Sequence, residues 1–167
     1  MGGLLVYHFS ARYPGLFDGV VALSPAFKNK MHFSWFSYLK LFFGLLFCPK
    51  LQIKLPFKSD ELTHDKSYKD KLNDDSLEVR VATVRLLFNI LLAEFSAVRL
   101  AAAVTDPLFF LLAGEDYLVS TDVSRVIFKK TGSVHKKLNV YEKMYHALSI
   151  DEQRECVFAD IYDWITI

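Results

Sequence analysis

Apolar positions recur along the chain with more than one spacing, and the changes of spacing mark out its elements. From Gly3 to Tyr13, Leu4, Leu5, Tyr7, His8 and Ala11 fall at helical intervals until Pro14-Gly15 stops the pattern, so the chain opens within a helix. Gly19 to Leu23 (GVVAL) is a short unbroken apolar run between Asp18 and Ser24-Pro25, the pattern of a strand buried on both faces. Leu108 to Ala113 (LFFLLA), ended by Gly114, repeats that pattern, and Lys137 to Glu142 (KLNVYE) alternates as a third strand. Thr121 to Lys130 reads as a helix ended by Gly132, with Ser120 as its cap, and Glu152 to Ile165 reads as a closing amphipathic helix. Buried strands separated by helices predict a parallel α/β layer.

Two stretches interrupt that layer. Met31 to Phe47 is almost wholly apolar, broken by Ser34, Ser37, Lys40 and Gly44 at near-helical spacing, and it ends just before Pro49. A helix this short and greasy is at the lower limit for spanning a bilayer, so it is expected to be buried, interfacial or laid over a substrate. Phe57 to Asp75 reverses the composition and reads as an exposed connector or short helices. Ser76 is expected to cap the periodic segment that follows, in which Arg80, Arg85, Asn89, Glu94 and Arg99 break a broad apolar surface before Asp106-Pro107. No repeat or low-complexity tract appears.

Composition narrows the class. Hydrophobic residues are 52% and charged residues 23% of the 167, which excludes a disordered, solvating polypeptide. A net charge of +1, spread over scattered lysines and arginines, supplies no basic face for a phosphate backbone, so nucleic acid is excluded as a partner. Cys48 and Cys156 are too far apart in sequence for a disulfide framework or a paired zinc site, which points to reduced thiols and a cytoplasmic protein. The opening MGGLLVYHF has neither a basic leader nor a cleavage signal, and Val6 stands where myristoylation wants Ser or Thr. His32, His64 and His135 have no neighbours at ligand spacing, so no metal is assigned, and His8 is expected to be a packing or surface residue.

In open α/β sheets, reactive groups gather at the carboxyl ends of strands. Asp116 follows the LFFLLA strand and His146 follows KLNVYE, with one helix between them. Such an aspartate can accept a hydrogen bond from one imidazole nitrogen and leave the other free as a general base. Taken by themselves, a turn acid and a loop histidine remain the alternative reading.

Local sequence adds to this. PLFFLLAGEDYLVS and KKLNVYEKMYHALSID resemble the acid and histidine segments of the α/β-hydrolase family, in its monoglyceride lipase and lysophospholipase branch, with Gly114, Asp116, Val119, Tyr145 and His146 at the matching positions. MGGLLVYHFSARYPGLFDGVVALSPAF resembles the family's segment after the nucleophile elbow, whose G-H-S-M-G-G pattern is met by Met1, Gly2 and Gly3. LTHDKSYKDKLNDDSL resembles the connector between cap and core, with Asp75 and Leu77 in place and Ser76 where the family has proline.

The resemblance runs from end to end. It implies the C-terminal half of an α/β-hydrolase fold, of about three mostly parallel strands with flanking helices and a helical apolar cap, with residues 27–75 forming cap and connector. It implies a carboxylic ester hydrolase acting on an acyl-chain lipid, a monoacylglycerol or lysophospholipid first, with no cofactor and with Asp116 and His146 catalytic. The nucleophilic serine is expected immediately before Met1, so the polypeptide as written is expected to hydrolyse little. Ser24 has Ala22 and Ala26 at elbow spacing, but Pro25 removes the N–H an oxyanion hole needs. The backbone nitrogen of Met1 matches the family's oxyanion donor, although a free terminus is a mobile ammonium. The alternative is a non-catalytic remnant, or a lipid- or membrane-interacting module that needs a partner segment.

Overall fold

The computed structural model describes residues 1–166. In chain order the elements are α1 (Gly2–Arg12), β1 (Val20–Leu23), α2 (Trp35–Phe47), β2 (Gln52–Lys54), α3 (Lys66–Asp74), β3 (Val81–Thr83), α4 (Val84–Leu100), β4 (Leu108–Ala113), α5 (Thr121–Lys130), β5 (Lys136–Tyr141) and α6 (Arg154–Ile165). Every residue of β4 is buried, because it is the central strand of a parallel sheet ordered β1-β4-β5 among the described residues. Val20 pairs with Leu108 and Leu108 with Lys136, so the three carboxyl ends lie along one edge of the sheet.

The two-residue alternation of a strand sorts β4 between two cores. Leu108, Phe110 and Leu112 pack with Leu4 and Tyr7 of α1, Ala97 of α4 and Ile127 of α5. Phe109, Leu111 and Ala113 point the other way, toward Met144, Leu148 and Val157, with Ile161 and Trp164 of α6 beside them. Helices therefore cover both faces, as the parallel α/β reading requires. Asp106, at the turn into β4, is buried and ties this layer to α1, accepting the Ser10 hydroxyl at 2.7 Å and the Gly15 N–H at 2.6 Å.

The expected cap of the long helix is displaced. Ser76 caps nothing in α4; Thr83 does, its hydroxyl accepting the Leu86 N–H at 3.2 Å. The six residues between them in the sequence lead into β3, which ends on Thr83 and pairs antiparallel with β2 through Gln52–Thr83, Ile53–Ala82 and Lys54–Val81. A three-residue strand is stabilised only by its partner, so no local signal announces it. Ser120 does cap α5, accepting the Val123 N–H at 3.3 Å.

α4, with the turn after it, is long and apolar enough to cross a membrane by composition. In the fold, 17% of that stretch is buried, and one side of it packs: it lies against α1 and α2, His8 meets its Ala93 carbonyl at 3.0 Å, and its buried Glu94 accepts the side-chain amide of Asn29 at 3.0 Å. α2 rests on α4 through Gly44, where a Cβ would come within 2.9 Å of Val84 Cγ2. Leu41 and Leu45 share this side toward α4, and Phe36, Phe42, Phe43 and Phe47 face out.

Candidate active site

Asp116 and His146 are brought together at the carboxyl edge of the sheet. Gly114 is what allows it. A Cβ at this position would run into the backbone of Glu142, because the exits of β4 and β5 cross in contact there. The crossing is fixed by the Gly114 N–H to the Tyr141 carbonyl at 2.9 Å and the Glu115 N–H to the Met144 carbonyl at 3.1 Å. Gly114→Ala is expected to force these loops apart and to destabilise the fold by about 1–3 kcal/mol, as overpacking against an immobile backbone does. Urea unfolding of the variant beside the parent chain measures it.

Beyond Gly114, Asp116 closes its own turn. Its Oδ1 accepts the N–H groups of Leu118 and Val119, each at 2.9 Å, while Lys30 Nζ donates to its backbone carbonyl at 2.7 Å. The carboxylate is thereby held rigid and buried, with Oδ2 left for His146 Nδ1 at 2.8 Å. A carboxylate only accepts, so Nδ1 must carry a proton, and Nε2 keeps its lone pair for another donor. The imidazole is partly open, at 23% of its side-chain surface, so Nε2 is within reach of a substrate-side group.

The loop carrying His146 is pinned on both sides. The Ala147 N–H donates to the Leu62 carbonyl at 2.9 Å, and the Tyr145 N–H donates to Asp151 Oδ2 at 2.8 Å. Asp151 is almost wholly buried and gathers the connector as well: it accepts the His64 N–H at 2.7 Å, the Thr63 hydroxyl at 3.1 Å and the Glu152 N–H at 3.0 Å, with His64 Nδ1 at 3.3 Å. The His64 ring lies on that of Tyr145, their centroids 3.6 Å apart. Sequence spacing gave no hint of His64 and Asp151, because their pairing joins segments that only the folded connector brings together.

Burial pushes the Asp151 carboxyl up, but the backbone N–H groups of Tyr145, His64 and Glu152, helped by the His64 ring, outweigh it and hold the carboxyl below the usual aspartate range. A depressed carboxyl stabilises the fold above its unfolded pKa of about 4, and that stability disappears as pH falls through the folded value. Asp151→Asn turns an amide N–H toward the Tyr145 N–H or the His64 N–H, whichever way the amide is placed. It is expected to cost about 1–3 kcal/mol at neutral pH, the range for leaving a buried donor unpaired. The gap from the parent chain is expected to narrow below about pH 4 in thermal melts across a pH series.

Met1 sits at the same edge. Gly3 packs against Pro25 and Ala22 at the end of β1, and the Met1 carbonyl accepts the Leu4 and Leu5 N–H groups at 3.0 and 3.2 Å. Burial of its amino group lowers the amine pKa, and among the described residues it hydrogen-bonds to neither Asp116 nor His146. Ser24 adopts a left-handed φ of 39°, as an elbow residue would, but its hydroxyl is buried without a hydrogen-bond partner and so does not meet His146. His8, as noted, packs α1 on α4.

Two cavities lie near this edge, the first of them lined by Asp116. One of about 590 Å³ is lined by Lys30, His32, Phe57, Glu61, Asp116 and Tyr117. Another of about 280 Å³ lies between α2 and α4, lined by Phe33, Tyr38, Leu41, Leu45, Leu87 and Leu91. Met31 borders both, so the cavity beside Asp116 and the apolar one between α2 and α4 are neighbours.

The family described as serine aminopeptidase, S33, matches residues 1–153. An uncharacterized protein of Escherichia coli (strain K12), YnbC, is 28% identical over 99% of this chain and 28% of its own length. Monoglyceride lipase of Homo sapiens is 30% identical over 99% of this chain and 56% of its length. The crystal structure of Paleococcus ferrophilus monoacylglycerol lipase superposes with a TM-score of 0.88 at 22% identity, covering 97% of this chain and 63% of that one. The chain thus spans between about a quarter and somewhat over half of the length of the curated relatives it matches.

Proposed function

Because the chain belongs to the serine aminopeptidase S33 family of α/β-hydrolases, in its monoglyceride lipase-like branch, we propose that it supplies the acid and the base of an ester hydrolase acting on acyl-chain lipids. The observation that carries this is the Asp116–His146 hydrogen bond of 2.8 Å on a rigid carboxyl-edge scaffold. In the reaction a serine hydroxyl attacks the ester carbonyl while Nε2 of His146 takes its proton. Asp116 holds the ring and stabilises its charged form, and the imidazolium then returns the proton to the departing alcohol. Water repeats the sequence on the acyl-enzyme. The apolar cavity that Met31 borders between α2 and α4 suits a hydrocarbon chain, which favours a monoacylglycerol or a lysophospholipid over a short ester.

The position of the serine in the family's G-H-S-M-G-G pattern is the residue ahead of Met1. We therefore expect these 167 residues to hydrolyse esters only when a segment bearing that serine is joined to them. The direct test is a chimera in which the nucleophile-bearing first part of human monoglyceride lipase, ending in its serine, is fused to Met1 and assayed on monoacylglycerol. Hydrolysis by a folded chimera supports the reading; a folded chimera that carries the serine and leaves monoacyl esters intact overturns it.

One observation favours contact with a membrane surface as well. The outward side of α2 is aromatic and exposed, with Phe36 at 74% and Phe47 at 79% of full exposure. A helix oriented in this way places its apolar side where a lipid interface would meet it. The cap is then both roof of the acyl cavity and point of contact with the membrane holding the substrate.

A further inference from the structure

The surface that would meet the membrane has a charge pattern as well as an apolar one. At about 100° per residue, Trp35, Phe36, Phe42, Phe43, Leu46 and Phe47 fall on one continuous arc of α2, opposite Leu41 and Leu45, which face α4. All six are exposed. Between Asp18 and Asp60 the chain carries six lysines and no carboxylate side chain. Two of them are engaged elsewhere: Lys30 donates to the Asp116 carbonyl, and Lys28 lies near the buried Glu94 carboxylate.

The remaining four, Lys40, Lys50, Lys54 and Lys58, are exposed and form no salt bridge among the described residues. Lys40 borders the same open apolar groove as Phe36, Phe43 and Phe47. Lys50 follows the carboxyl end of α2, and Lys54 ends β2 beside the cap. An apolar face with four exposed lysines along its segment, none of them salt-bridged and only Lys58 beside an acid, the Glu61 carboxylate that accepts its backbone N–H at 3.1 Å, matches an interface that is hydrocarbon below and negative above. A protein partner buried on such a face needs acids to pair the lysines, whereas an anionic bilayer supplies both features at once.

We propose that α2 and its lysine fringe form a docking surface for anionic lipid bilayers, selecting them over neutral ones. This rests on the reading of the cap as a membrane-contacting element and adds the lipid class. Each lysine held near a negative leaflet contributes roughly 1 kcal/mol, about a fivefold gain in partitioning, and added salt screens it. With four lysines partly engaged, the preference is expected to be at least about tenfold.

The test is sedimentation of the full 167-residue chain with vesicles of phosphatidylcholine alone, or of phosphatidylcholine and phosphatidylserine in equal parts. The expected result is binding at least about tenfold stronger on the mixed vesicles, reduced by molar salt. Lys40→Glu, Lys50→Glu and Lys54→Glu combined should erase the preference while leaving residual binding to neutral vesicles. Phe36→Ser with Phe47→Ser should lower binding to both. Circular dichroism and the thermal midpoint check that both variants fold. Equal binding to the two vesicle types, or a preference that survives the charge reversals, overturns the lipid-class inference and leaves the membrane reading standing. No binding to either, including the case in which the chain self-associates instead, overturns both.

Discussion

His146→Ala, introduced into a form of the protein that carries the family serine, is expected to lower kcat for a monoacyl ester by about four to six orders of magnitude, with little change in KM. The imidazole is placed to take a proton at the carboxyl edge while a fixed carboxylate holds its other nitrogen. Alanine removes the base and leaves the cavities proposed to take the acyl chain intact, so loss should fall on kcat. Asp116→Asn gives a finer test. Its amide oxygen can keep the Leu118 and Val119 N–H bonds, so the turn survives, but the amide nitrogen then faces His146 Nδ1. That nitrogen must become an acceptor, the proton moves to Nε2, and the base is blocked in the wrong tautomer. A loss of about 10⁴ is expected. The double variant should be scarcely worse than His146→Ala alone, because the two act as one unit. Initial rates at saturating and limiting ester measure all three, and full activity in either single variant removes Asp116 and His146 from the mechanism.

The parts of this site that were legible in the sequence are those built from short, self-contained signals. LFFLLA, short and bounded by Asp106-Pro107 and Gly114, reads as a strand covered on both sides, and the placement of Asp116 and His146 just beyond two neighbouring strands follows from parallel topology. Gly114 has its reason in the same crossing, where the Glu142 backbone leaves no room for a side chain. The elements that stayed hidden depend on partners far away in the chain. β3 exists because β2 lies beside it, and its formation moves the helix cap from Ser76 to Thr83. Asp151 looks like one more loop acid until the connector folds back and lays Thr63 and His64 against it. α2 shows the sharpest difference between pattern and place. Its sequence predicts a narrow polar stripe on a greasy helix, and the usual expectation is that such a stripe meets water. Ser34 and Lys40 do meet water, but Gly44 is turned against Val84 and the aromatic arc is left outside as well.

A polypeptide made of these 167 residues alone is expected to stay unlabelled by a fluorophosphonate probe, whereas the same residues joined to the serine-bearing segment should label at least about 10³ times faster. The probe reports an activated hydroxyl, which needs three things together: an oxygen near His146 Nε2, donors for the phosphoryl oxygen, and a turn that exposes the hydroxyl. Asp116 and His146 furnish only the base. Ser24 has the backbone of an elbow, with its φ of 39°, but its hydroxyl is enclosed and unpaired and Pro25 offers no N–H behind it. Ser10 is fully buried and donates to Asp106, and Ser120 is committed to capping α5. If no other hydroxyl reaches Nε2, the pair can act only on water, as a general base worth about 10²–10⁴-fold. The comparison is read by in-gel fluorescence and by intact mass, with His146→Ala of the joined form as the control that removes activation and keeps the serine. Strong labelling of the 167 residues alone overturns the assignment, and peptide mapping of the adduct then names the serine that His146 serves. Labelling confined to the joined form, and lost with His146, places the nucleophile ahead of Met1.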